Sequence, residues 1–107
     1  MIFSDNLTIK DQIELLERSI LVNSYAYYML DRNILEDYQY DANTRQLLNL
    51  RKNYPDEFKN SRYYEYFNDF ESGTGYDLVF RIKKDNKLES IIHRDAVFAL
   101  NIKNERR

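Results

Sequence analysis

Apolar side chains recur at near-helical spacing through the first third of the chain, where Ile13, Leu16, Ile20, Val22 and Tyr27 mark one face. Spacing of this kind aligns side chains along a single stripe of an α-helix. Thr8, followed three residues later by Asp11, supplies a capping box in which Asp stands for the usual Glu. The pattern predicts a helix over 9–30. Asp31-Arg32-Asn33 interrupts it with turn-favouring side chains, and Ile34-Leu35-Glu36 carries the chain to Asp37. Asp37 reads as an N-cap whose carboxylate accepts the free backbone N–H groups of the next helix. Tyr40, Leu47, Leu48 and Leu50 then precede Pro55, which predicts a second helix over 38–53. Helices joined by so short a connector pack antiparallel, so the end of the first and the start of the second share one pole of the hairpin.

Downstream the pattern changes character. Tyr63, Tyr66, Phe67 and Phe70 fall at helical offsets within 61–70 and predict a short aromatic helix capping the hairpin. The run Glu71-Ser72-Gly73-Thr74-Gly75 holds both glycines and reads as a tight turn; a phosphate cradle needs a preceding strand and a following lysine, which this run lacks. Leu78, Phe80 and Ile82 alternate with Asp77, Val79 and Arg81, which permits a short strand, and Leu88, Ile91, Ile92, Ala99 and Leu100 fit a last helix. A hairpin turning at Asp85-Asn86 competes for 76–92, but it would set Ile82 opposite Glu89 and break the apolar face. The expected fold class is mainly α: an antiparallel helical hairpin, an aromatic capping helix and a C-terminal helix, with one short strand or hairpin near 76–92 as the only β structure allowed.

Composition narrows the function classes. A chain of 107 residues has room for one domain, expected to span 1–107. With 43% hydrophobic and 32% charged residues it has the make-up of a soluble globular protein, and no long apolar run suits a membrane crossing. Met1-Ile2-Phe3-Ser4-Asp5 shows neither the basic nor the apolar part of a secretory signal, and the absence of cysteine removes disulfides and thiolate metal sites. The cytoplasm is the default location. A net charge of -2 argues against direct nucleic-acid binding through the bulk field, and the basic runs at 81–84 and 104–107 read as solvated surface. His93, the single histidine, has no cysteine or paired-carboxylate motif beside it and reads as a surface residue, not a zinc ligand or triad member.

The candidate chemistry lies at the bend between the first two helices. Tyr25-Ala26-Tyr27-Tyr28-Met29-Leu30-Asp31 and Asp37-Tyr38-Gln39-Tyr40-Asp41 set aromatic rings and carboxylates around one connector. Tyrosine offers a flat apolar face with a polar tip and aspartate accepts hydrogen bonds from hydroxyls or amides, so the set suits a flat, polar-edged, partly cationic ligand. A pyridinium nucleotide fits that description. The bland readings are a Tyr27 that fills the interhelical seam, an Asp37 that only caps, and an Asp41 that only complements the helix dipole.

These two stretches, with Tyr54-Pro55-Asp56-Glu57, resemble the N-terminal Ia domain of bacterial NAD-dependent DNA ligases, whose pattern runs Tyr-x-Tyr-Tyr/His-x-x-Asp, Asp-x-x-Tyr-Asp, Tyr/His-Pro-Glu; the likeness is strongest over 15–58. In that family the Ia domain acts as a lid over the nicotinamide mononucleotide (NMN) half of NAD. The resemblance implies ring contacts to nicotinamide from Tyr27 and Tyr40, with Tyr28 beside them, and contacts from Asp37 and Asp41 to the NMN moiety. It implies no catalytic residue. A ligase needs a nucleophilic lysine in a Lys-x-Asp-Gly motif within a nucleotidyltransferase domain, for which 107 residues leave no room, and Lys83-Lys84-Asp85-Asn86 is read as a chance echo of that motif. Where the family has a proline in the connector, this chain has Ile34, which leaves the connector less stiffened.

The run from Asp69 to Leu78 resembles a segment of small ligase-related proteins of phages and mobile elements of Gram-positive bacteria. Two readings follow: a non-catalytic Ia-like module that binds NMN or NAD through Tyr27, Tyr28, Asp37, Tyr40 and Asp41, or a phage-type adaptor or inhibitor that binds a host protein in DNA replication, repair or defence. Neither requires a cofactor or a metal.

Overall fold

The computed structural model describes residues 7–71 and 75–105. The elements are α1 (Ile9–Met29), α2 (Asp37–Asn53), α3 (Pro55–Lys59), α4 (Tyr64–Phe67), α5 (Gly75–Lys83) and α6 (Asn86–Glu105), with no strand among the described residues. The mainly α class holds.

The long first helix is the axis of the molecule. Thr8 accepts the Asp11 backbone N–H through Oγ1 at 3.1 Å while Asp11 Oδ2 accepts the Thr8 N–H at 3.4 Å, so the capping box forms in both directions. Ile13, Leu16, Ile20, Leu21 and Ala26 are fully buried along it. Each large apolar side chain enclosed in this way stabilises the fold by roughly 1.5–3 kcal/mol. Tyr27, expected on the same face, points outward instead and is half exposed. Asp31 adopts a left-handed backbone, φ 55°, just past the helix end, and the Arg32 N–H returns to the Ala26 carbonyl at 3.1 Å. That reversal starts the hairpin. Ser24 late in α1 meets Tyr40 early in α2, whereas Glu17, earlier in α1, meets Ser61 just after α3, so α1 and α2 run antiparallel.

Three local expectations are corrected. Asp37 is not the N-cap: Glu36 is, with its N–H donated to Gln39 Oε1 at 3.0 Å, and Asp37 is the first helical residue, where its charge still faces the helix N-terminus. The aromatic segment is not one helix over 61–70. Pro55 starts α3 at the position where its missing N–H costs nothing, and only Tyr64–Phe67 is helical beyond it, although Tyr63, Phe67 and Phe70 are buried as the pattern implied.

The third correction falls on 76–92, which holds two helices and neither a strand nor a β-hairpin. Gly75, Leu78, Val79 and Ile82 are buried and Tyr76, Asp77 and Phe80 are exposed, a period of three to four that outweighs the apparent alternation. Lys83-Lys84-Asp85-Asn86 is the turn into α6: Asp85 accepts the Leu88 N–H at 3.1 Å and the Tyr66 hydroxyl at 3.0 Å. The echo of a ligase motif is thus a helix cap. Of the predicted glycine turn, 72–74 lies outside the described residues, and Gly75 opens α5.

The α5–α6 pair packs along α1 and is fixed there by polar contacts. Arg81 donates both guanidinium arms to Asp69, at 2.7 and 2.9 Å, and a further bond to the Tyr66 carbonyl at 2.8 Å. Asp95 pairs with Arg18. The buried Tyr25 points its hydroxyl at Glu89 and at His93 Nδ1, 3.1 and 3.2 Å away. No described helix is long and apolar enough to cross a membrane.

Candidate functional site

Where α1 ends and α2 begins, a cleft of about 190 Å³ opens to solvent. Its floor is Ser24 and Tyr40, its walls are Asn23, Tyr27, Tyr28 and Asp37, and its rim is Asn33, Ile34 and Leu35 of the connector. Four of the five candidate residues, Tyr27, Tyr28, Asp37 and Tyr40, line this single space, whereas Asp41 is exposed and does not line it. The helical phase explains the split. On the helical wheel Asp37 lies between the other two, with Tyr40 about 60° to one side and Asp41 about 40° to the other, and the cleft lies on the Tyr40 side.

The side chains are set by short bonds. The Tyr40 hydroxyl and Ser24 Oγ lie 2.8 Å apart, and burial pushes that phenol above its ordinary range, so it stays a neutral donor–acceptor. Tyr27 and Tyr28 pack edge to face, centroids 4.8 Å apart, both half in solvent. Asn23 donates its amide to the Ser19 carbonyl at 2.7 Å, which leaves Asn23 Oδ1 a buried acceptor with no partner among the described residues. An unpaired buried acceptor costs roughly 1–3 kcal/mol.

Sequence reasoning missed several members of this site. Ser24 could have been found, since it precedes Tyr28 by one helical turn and so shares its face. Gly75 could not, because it arrives from α5. A Cβ there would stand 2.8 Å from the Tyr40 hydroxyl and 3.2 Å from Ser24 Oγ, so glycine permits the start of α5 to close the back of the cleft. The rim is held from a distance too: Lys103 near the end of α6 donates to the Asn33 carbonyl at 2.6 Å and Arg32 donates to Asn104 at 3.1 Å. These bonds restrain a connector that lacks proline. No group of His, Cys, Asp and Glu able to hold a metal ion occurs among the described residues.

The structure defines a small helical domain in which rings, amides and one carboxylate converge on a cleft. The sequence model described as "DNA ligase-like, N-terminal NAD+-binding domain" matches residues 6–62, and the chain belongs to that family. Among curated proteins, a DNA ligase of Psychrobacter cryohalolentis is 56% identical over 34 residues, 32% of this chain and 5% of the ligase. A DNA ligase of Thermoanaerobacter sp. is 38% identical over 47 residues, 44% of this chain and 7% of the ligase. The chain therefore corresponds to a small part of those relatives. No solved structure matches it. The family match ends before α4, so α5 and α6, including Gly75 at the cleft, lie beyond it.

Proposed function

We propose that this domain is a non-catalytic module that binds nicotinamide mononucleotide, or the NMN half of NAD, in the cleft between α1 and α2. The observation that carries the reading is the convergence of Tyr27, Tyr28, Asp37 and Tyr40 on one cleft in a member of a family described as NAD+-binding. Their chemistry suits the ligand. A pyridinium ring is cationic and flat, so it gains from phenol faces and from a nearby carboxylate. Its carboxamide finds hydroxyl partners in Ser24 and Tyr40, and ribose hydroxyls find acceptors in Asp37 and Asn33. The phosphate, which gains nothing from Asp37, belongs at the open mouth. Asp41 is left out of this ligand shell.

Amide chemical-shift mapping with NMN tests the reading. Saturable shifts confined to 23–40 and to the start of α5 are expected. Shifts absent at millimolar NMN, or clustered elsewhere, would remove it. The adaptor reading has a separate surface in Val97 and the largely exposed Phe98 of α6. Retention of an unlabelled bacterial partner by the wild type but not by Phe98→Ser is the result that reading requires.

A further inference from the structure

An aromatic ribbon leaves the cleft and continues along α5. Tyr28 packs edge to face on Tyr76, centroids 5.4 Å apart, and Tyr76 on Phe80 at 5.1 Å. These residues are 44%, 54% and 53% exposed, respectively. Tyr76 and Phe80 are one turn apart on the face of α5 opposite Leu78, Val79 and Ile82, so they contribute little to the core. Phe80 in addition has no polar tip to justify its place in water. Rings ordered against one another on an outer helix face, continuous with a cleft, form a prepared apolar surface.

The size of the cleft says what should cover it. Sites that enclose a drug-sized ligand measure roughly 300–1,000 Å³, and this one measures about 190 Å³. It accepts a nucleoside-sized fragment and leaves the rest of a larger ligand outside, next to Tyr76. We propose that the ribbon Tyr28–Tyr76–Phe80 is a stacking subsite for the second base of a dinucleotide whose pyridinium half occupies the cleft. The proposal rests on the nicotinamide reading of the cleft and adds an element beyond the part of the chain that matches the family, which ends at residue 62. A purine is the base best suited, because stacking gains with ring area and needs no hydrogen-bond readout. The dinucleotide is then bound by this chain alone along one continuous surface.

Isothermal titration of the wild type, Phe80→Ala and Tyr76→Phe with NAD and with NMN separates the outcomes. NAD is expected to bind roughly five- to tenfold more tightly than NMN, the size of one modest base–aromatic stack. Phe80→Ala brings NAD to the level of NMN while leaving NMN affinity unchanged, and Tyr76→Phe keeps the preference for NAD. Phe80 is exposed, so the thermal melt of the alanine variant matches the wild type. Equal affinities for the two ligands, with Phe80→Ala indifferent, overturn the ribbon and leave the cleft reading intact. If neither ligand binds, the cleft reading falls and takes the ribbon with it. A concentration-dependent doubling of mass in light scattering that Phe80→Ala abolishes assigns the ribbon to a second copy of the chain and also overturns the proposal.

Discussion

The two ends of α1 differ in how far they open their polar groups to solvent. Toward its C-terminus, Tyr27 and Tyr28 stand half in solvent and Asp37 faces an open cleft. Toward its N-terminus, Glu17 is wholly buried, with Oε2 at 2.9 Å from the Ser61 hydroxyl, which also lies 2.8 Å from the Phe58 carbonyl, and with Oε1 unpartnered among the described residues. Burial raises that carboxyl to about 7, so it is about half protonated at neutral pH and an uncharged group inside the fold in mildly acidic solution. One end pays for closure with a muted charge. The other stays open, with groups a ligand could complete. On the proposed reading, binding belongs to the cleft and fold maintenance to Glu17.

The largest expected effect lies at the closed end. The Glu17 carboxyl is raised from 4.5 to about 7 in the folded protein, so its neutral form is favoured by folding. Its contribution to stability is therefore fully present below about pH 4.5 and declines as pH rises through about 7, by roughly 3 kcal/mol in all. Glu17→Gln, neutral at every pH, is expected to flatten that slope in urea titrations between pH 4.5 and 8 and to leave NMN binding unchanged. A wild-type curve as flat as that of the variant would show Glu17 to be solvated, and the contrast between the ends would be lost.

Next in size is Gly75→Ala. Its methyl group meets the Tyr40 hydroxyl at 2.8 Å, and crowding of this kind costs roughly 1–2 kcal/mol. Tyr40→Phe removes the atom in the way together with its bond to Ser24, and by itself costs about 1 kcal/mol. The double variant is expected to be more stable than the sum of the two losses predicts, a coupling that denaturant melts can resolve. Strict additivity would mean that α5 does not press on the floor of the cleft.

Smaller still is the difference between two aspartates four residues apart. Asp37→Ala is expected to weaken NMN about tenfold, whereas Asp41→Ala changes affinity less than twofold and stability by under about 0.5 kcal/mol. Equal losses from both would favour the linear motif over the geometry.

The hairpin was legible in the chain because its signals are local: a capping box, an apolar stripe and a turn of polar residues act within a few positions of one another. The tyrosines at its bend were legible for the same reason. Reading α5 as a strand failed because Leu78, Phe80 and Ile82 alternate while Leu78, Val79 and Ile82 also fit a helix, and nine residues are too few for one period to dominate. Only packing against α1 decides. That Asp41 does not line the cleft was not legible, since Asp37, Tyr40 and Asp41 all fall within one broad face of α2 and only packing decides which side of Asp37 the cleft opens on. Gly75, Tyr76 and Lys103 reach the cleft or its rim from a helical pair distant in sequence, and nothing local announces such an approach.

The central claim is that the open end of α1 binds a nicotinamide nucleotide through its exposed rings. Calorimetric titration of NMN into the wild type, Tyr28→Ala and Glu17→Gln tests it most directly. One saturable site is expected in the wild type, with affinity at least about tenfold weaker in Tyr28→Ala and unchanged in Glu17→Gln. No heat in the wild type at millimolar NMN, or equal binding by all three proteins, would contradict it.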